Sequence, residues 1–288
     1  MITDFIQGEK FEQLAHFVYS PMHLSGDDYS KLENTFDVAK LFPYCIVYAH
    51  SMYAKNLLGI LKDVKTPIIL VTHNGDTNIT PNHIIPECVH MWFAQNVAMK
   101  HPKIQSIPIG LENSRWYRNV KKRDVMQDLY NKYYHGPLKG DEKCPGHLAY
   151  MNHNVSTNPK ERQLLYDLFE HKPWVYSYRG KNSNDALQFR VYMNAICVHP
   201  FMFCPEGNGI DTHRTWEVLY MDRFPIEKRN YNNQYYTDLP IVFVDSWEEV
   251  TEDFLRKKWK EMIEGDYAYE KLTFTYWADW IKSYSEKK

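Results

Sequence analysis

Residues 201–228, FMFCPEGNGIDTHRTWEVLYMDRFPIEK, constrain the fold more than any other stretch. Phe201, Met202, Phe203 and Cys204 form a short apolar run that reads as a buried strand. Pro205 and the glycines Gly207 and Gly209 cannot continue it, and two glycines so close let the backbone turn and approach a ligand. Asp211 or Thr212 then supplies an N-cap for a helix over 213–221, and a second apolar run begins at Phe224. A helix returning the chain between two strands leaves those strands parallel, and parallel sheets are covered on both faces. The unit also aims helix N–H groups at whatever lies beyond the strand ends, an arrangement suited to phosphate.

The rest of the chain repeats this alternation. Residues 67–72 are apolar throughout and read as a parallel strand, with further strands at 45–49, 89–93 and 104–109 and a helix over 52–61. In the second half, strands are expected at 148–151, 174–178 and 239–244, and helices at 159–170, 185–195, 248–263 and 267–284. Residues 1–40 give a short helix over 5–17 and no evident chemistry. The basic run Arg115, Arg118, Lys121, Lys122 and Arg123, followed by the Lys-, Gly- and Pro-rich residues 139–146, reads as a helical segment and linker. These segments predict an α/β chain with an N-terminal domain over 1–140, a C-terminal domain over 147–265 built on a similar plan, and a last helix within 266–288.

The 201–228 segment resembles the C-terminal signature of exostosin-like glycosyltransferases through Cys204, Pro205, Gly207, Gly209, Asp211, Arg214, Glu217 and Pro225. The match is close over about thirty residues and looser over the second half. The full string also resembles the small viral members of that family, which include xylosyltransferases. The resemblance implies a GT-B fold of two Rossmann-like domains facing a cleft, with the last helix crossing back to the first domain. It implies inverting transfer of a hexosyl or pentosyl group from a nucleotide-diphosphate sugar such as a UDP-sugar to a glycan hydroxyl. The donor would lie on the second domain, with Glu217 on the nucleotide ribose and Arg214 on the diphosphate. The acceptor would lie on the first domain.

Ligands in open α/β sheets bind beyond the carboxyl ends of the strands. In the first domain that rim carries His50, the loop 73–78, Gln95, Asn96, Glu112 and Asn113. Asp76, in a polar loop beside Gly75, is the candidate general base, with His73 and Glu112 as alternatives, and Asn74 and Glu112 are candidate acceptor contacts. An Asn-Gly-Asp turn is also an ordinary turn signal. In the second domain Asn152, Asn154, Arg179 and Lys181 stand at strand ends and join Gly207, Asn208, Gly209, Asp211, Arg214 and Glu217 as candidate donor contacts. Arg214 and Glu217, three apart on a helix, also fit a plain surface ion pair.

Composition narrows the function. A net charge of −2 argues against a nucleic-acid binder working through a basic surface. Tyr and Trp number 22 and 8, which suits sugar platforms as well as ordinary cores. The 13 histidines show no metal-binding spacing and no Asp-x-Asp motif accompanies them, so no essential metal and no cofactor beyond the donor is expected. The five dispersed cysteines suit reduced thiols, and no stretch reads as a signal peptide or membrane span; the expectation is a cytoplasmic protein, in a host cytoplasm if viral. Two other readings compete. One is a non-catalytic carbohydrate- or nucleotide-binding module. The other is a nicotinamide-dependent oxidoreductase, with Gly207, Gly209 and Glu227 imitating a dinucleotide fingerprint whose third glycine is replaced by Thr212.

Overall fold

The computed structural model describes residues 2–21, 33–114, 122–134, 147–179 and 186–286. The expected linker at 139–146, with Arg115, Arg118, Lys121 and Lys181, lies outside them. The described chain builds two five-stranded parallel sheets. The first contains β1 (Phe17–Tyr19), β2 (Cys45–His50), β3 (Ile68–His73), β4 (Val89–Ala94) and β5 (Ile104–Ser106), in that spatial order. The second contains β6 (Ala149–Met151), β7 (Val175–Ser177), β8 (Phe201–Phe203), β9 (Phe224–Lys228) and β10 (Val242–Val244), ordered β10-β9-β8-β6-β7. The helices are α1 (Gly8–Gln13), α2 (Ala54–Ile60), α3 (Lys122–Tyr133), α4 (Pro159–Phe169), α5 (Ala186–Val198), α6 (His213–Tyr220), α7 (Glu252–Glu264) and α8 (Phe274–Ser285).

The two sheets do not share a winding. The first runs in one direction from β1 to β5. The second starts in its middle at β6, steps to β7 on one side, then doubles back to β8 on the other. Helices leaving β6 and β8 therefore cover opposite faces, and a crevice opens between the carboxyl ends of those two strands, the usual ligand position of a doubly wound sheet. The similar plan expected for the two halves holds for parallel strands but not for strand order.

Alternating strand residues divide the core. Val47, Leu70 and Trp92 face the outer side of the first sheet. Tyr48, Val71 and Phe93 face inward, into a cluster that also takes Tyr150 and Met202 from the second sheet and residues of α5, α6 and α8. One hydrophobic core thus runs through both halves. Helix α8 returns to the first sheet as the GT-B plan requires: Phe274 packs on Phe11, Trp280 and Tyr284 on Phe93, and the Phe274 amide donates to the Asp4 carbonyl at 3.0 Å.

Threonines shorten the expected helices. Thr273 accepts from the Tyr276 amide through its hydroxyl and starts α8 there, leaving a separate 3₁₀ turn over Tyr269–Leu272. Thr251 caps α7 in the same way, and a Ser246/Glu249 capping box closes the turn before it. The helix expected over 5–17 is only α1, because Phe17 leaves to pair with Val47 as an edge strand. Among the described residues no helix is long and apolar enough to cross a membrane, and Cys45, Cys88, Cys197 and Cys204 are buried and unpaired.

Because the halves share a core, calorimetry should show one unfolding transition rather than two. Ile281→Ala, which truncates a fully buried residue of α8, should lower stability by about 2–5 kcal/mol without splitting that transition. Two resolved peaks in the parent would show that the halves unfold independently.

Candidate active site at the junction of the two domains

Strand β8 ends against the first domain, and the loop after it is pinned there. The Asp211 carboxylate accepts the Ile109 amide at 2.8 Å and the Trp216 indole N–H at 3.0 Å, and its own amide donates to Asn96 Oδ1 at 2.9 Å. A β-carbon on Gly209 would stand 2.6 Å from Asn96 Nδ2, and one on Gly207 would stand 2.9 Å from the Arg162 guanidinium. Both glycines serve close approach, as the sequence suggests, but the neighbour is protein side chain. Farther along, Asn232 Oδ1 accepts from the Val97 amide at 3.0 Å and Ser106 Oγ at 2.7 Å.

The crevice of the second sheet is cationic. Arg162, on α4, donates to the carbonyls of Asn154, Pro205 and Glu206 and so ties the β6 and β8 loops together. Arg214, in the first turn of α6, has no carboxylate within ion-pair distance among the described residues, and its Nε is buried without a partner there. Its charge is felt around it. Burial and then Arg214 push the His153 imidazole down to about 3 and the Arg162 guanidinium to about 10. Buried polar atoms are nearly always hydrogen-bonded. Here Asn152 Nδ2, His153 Nδ1, Ser177 Oγ, Thr212 Oγ1 and Arg214 Nε all lack partners, and all stand beyond β6, at the end of β7 or at the start of α6. Helix α6 opens at Thr212 with no side-chain cap, leaving its first N–H groups to this crevice.

Facing it, a polar pocket of about 220 Å³ lies at the rim of the first sheet, lined by Gly8, Asn74, Asp76, Glu112, Asn113 and His213 among others. Two glycines keep it open. A β-carbon on Gly8 would stand 1.7 Å from Asn74 Oδ1, and one on Gly75 would stand 2.3 Å from Ser51 Oγ. Asn74 adopts φ +64° and is held by Glu12, Tyr48 and Asn113. Asp76 is exposed at the mouth and makes no hydrogen bond or ion pair with the described residues.

The sequence-derived candidates thus separate. Asp76, Asn74 and Glu112 come together in the pocket, where Glu112 pairs with Lys122 at 3.2 Å. His73 lies behind it, 1% exposed and stacked on Phe11. Its Nδ1 accepts the Asn74 amide and its Nε2 donates to the Pro108 carbonyl, so neither nitrogen is open to a substrate. Burial holds its imidazole down at about 4. Asn152 and Arg214 meet in the crevice. Glu217 is buried beside them and accepts the Tyr192 hydroxyl at 2.8 Å rather than pairing with Arg214. Asp211 is spent on the domain junction. Asn208 is exposed on the loop, Asn154 caps a 3₁₀ turn, and Arg179 makes an exposed bidentate pair with Glu170 over the Tyr166 ring. Glu227, the acid of the dinucleotide alternative, is held by Thr215 and Asn233. Gly8, Arg162, His153 and His213 are the site residues that the sequence reading did not pick out.

Burial raises the Asp211 carboxyl from an ordinary 3.8 to about 6 and the Glu227 carboxyl from 4.5 to about 7. The folded chain then keeps protons that the unfolded chain releases. The associated stability is present below the unfolded values and is lost as pH rises through the folded ones. Glu227→Gln should therefore flatten the fall of Tm between pH 4.5 and 7. Parallel Tm–pH curves for parent and variant, by circular dichroism, would show that Glu227 ionises equally well in both states.

No protein-family model and no curated protein matches this chain. Among solved structures it is similar to one described as a crystal structure of alpha1,3-fucosyltransferase, with 12% identity and a TM-score of 0.45 over 84% of this chain and 77% of that one.

Proposed function

We propose that the chain is an inverting glycosyltransferase that moves a sugar from a nucleotide-diphosphate donor to a glycan hydroxyl. The observation that carries this reading is the cationic crevice at the strand-order reversal, where Arg214 and Arg162 form no ion pair among the described residues and several buried polar atoms lack a protein partner. A diphosphate supplies acceptors for Arg214 Nε, Asn152 Nδ2 and the Ser177 and Thr212 hydroxyls, whereas His153 Nδ1, whose ring proton sits on Nε2 against the Arg162 carbonyl, takes a donor such as a ligand hydroxyl. The uncapped start of α6 adds its dipole where charge grows on the leaving group. Glu217, with one oxygen taken by Tyr192, keeps the other for a ribose hydroxyl. The pocket opposite is small and polar and suits one neutral sugar ring; the Asp76 carboxylate can accept a hydrogen bond or a proton from its hydroxyl. The exostosin resemblance through Cys204 to Pro225 supports the same division, and xylose is among the donor sugars it brings forward.

A thermal-shift screen with UDP, GDP and UDP-sugars tests the donor site, because a ligand bound only by the native state raises Tm. UDP or a UDP-sugar should stabilise the parent. Arg214→Gln and Glu217→Ala should each weaken that binding by about 1.5–3 kcal/mol, the worth of a hydrogen bond to a charged group. No response to any nucleotide, or an undiminished response in Arg214→Gln, would sink the reading.

With two guanidinium groups assigned to the diphosphate, transfer should also continue in EDTA. Loss of transfer in EDTA, restored by manganese or magnesium, would move the diphosphate from the arginines to a metal ion.

A further inference from the structure

His213 belongs to the second domain by sequence but lines the pocket of the first. Its Nδ1 lies 2.7 Å from the Gly110 carbonyl oxygen. A carbonyl only accepts, so Nδ1 carries the proton, and in the neutral ring Nε2 holds the lone pair. No described protein group takes up Nε2. The carbonyl that sets this tautomer is itself fixed. Gly110 has φ +66°, and a β-carbon there would stand 2.3 Å from the Ile6 carbonyl oxygen, so other residues are strained at this position. The next residue is Arg214, which faces the crevice. Two consecutive residues, with α-carbons about 3.8 Å apart, thus serve the two halves of the site.

We infer that His213 Nε2 is the group that takes the acceptor's proton; this rests on the transferase reading. As the acceptor oxygen bonds the anomeric carbon, its O–H proton passes to Nε2. The bond from that carbon to the diphosphate oxygen breaks, and its electron pair leaves with the diphosphate beside Arg214. The resulting imidazolium keeps its Nδ1–H on Gly110. The buried Asp211 carboxylate, which interacts with the His213 charge, opposes the new positive charge from behind. His213 Nε2 is held in one orientation at the pocket wall by the Gly110 carbonyl, a fixed position of the kind a general base needs. Asp76, exposed at the mouth, then orients the acceptor ring.

His213→Asn tests this, because the asparagine amide can still donate to Gly110 but offers no lone pair at the Nε2 position. With the nucleotide sugar that passes the thermal-shift screen, this variant should lose about 10²–10⁴-fold in kcat. Its donor Kd and Tm should stay close to the parent's, while Asp76→Asn should raise the acceptor KM more than it lowers kcat. Parental kcat in His213→Asn, with the large loss appearing in Asp76→Asn, would overturn the inference and leave the transferase reading intact. Nitrogen-15 NMR of histidine-labelled protein decides independently of any substrate. An Nδ1–H tautomer for His213 upholds the inference and an Nε2–H tautomer ends it. If no nucleotide binds, the transferase reading is what has failed.

Discussion

The Asp211 carboxylate fixes where the two domains meet. It accepts an amide of the first domain and an indole of the second, while its own amide is held by Asn96. Burying that carboxylate costs several kcal/mol in desolvation, and each hydrogen bond to it returns about 1.5–3 kcal/mol. Desolvation outweighs the hydrogen bonds, and the raised pKa is the sign of it. What the arrangement secures is position. With Asp211 in place, Gly209 must lie against Asn96, Thr212 must open α6 at the junction, and His213 and Arg214 must fall on either side of it. An asparagine could keep the shape but would present an amide donor to a site of two donors.

The contrast between the sheets explains why the two half-sites differ chemically. In the second sheet, helices follow β6 and β8, so the crevice offers a helix start and guanidinium groups, the chemistry of anion binding. In the first sheet, the segments after β3 and β4 reach the next strand without an α-helix. Their rim is therefore built from loop side chains, Asn74, Asp76, Gln95 and Asn113, which suit hydroxyl groups better than phosphate. A sheet wound in one direction has no crevice of its own, so its pocket needs α1 and α6 to close it, through Gly8 and His213.

Local sequence carried the parallel sheets, the 201–228 unit and the returning last helix, because apolar runs and caps act within a few residues. Arg214 and Glu217 were picked out through the exostosin resemblance and lie on α6, whereas local sequence put Asn74, Asp76 and Glu112 beyond strand ends of the first sheet, where the structure gathers them in one pocket. It did not separate His73 from them, since adjacent residues at a strand end point in opposite directions and only the tertiary structure shows Phe11 and Pro108 enclosing one of them. One missed residue did leave a trace. Arg162 shares a helical stripe with Leu165, Tyr166 and Phe169, all buried, and a charge on an inward stripe calls for a partner. His213 left none, because its role comes from the Gly110 carbonyl, 103 residues away. The β1 strand, a partly exposed edge, was overlapped by the helix expected over 5–17 and shows itself only through its pairing with β2.

The shared core bears on how the site does its work. Domains joined by a small polar interface move relative to one another by default. Here Tyr48, Val71 and Phe93 of one sheet lie in the same apolar cluster as Tyr150 and Met202 of the other, so parting the halves exposes that cluster to water. The relative pose of pocket and crevice is therefore settled when the chain folds. The entropy of bringing two binding surfaces into register is lost once, during synthesis, and not in each encounter with a ligand. On the transferase reading, donor and acceptor meet a frame set by folding, and the shapes of the two half-sites carry the selectivity between ligands.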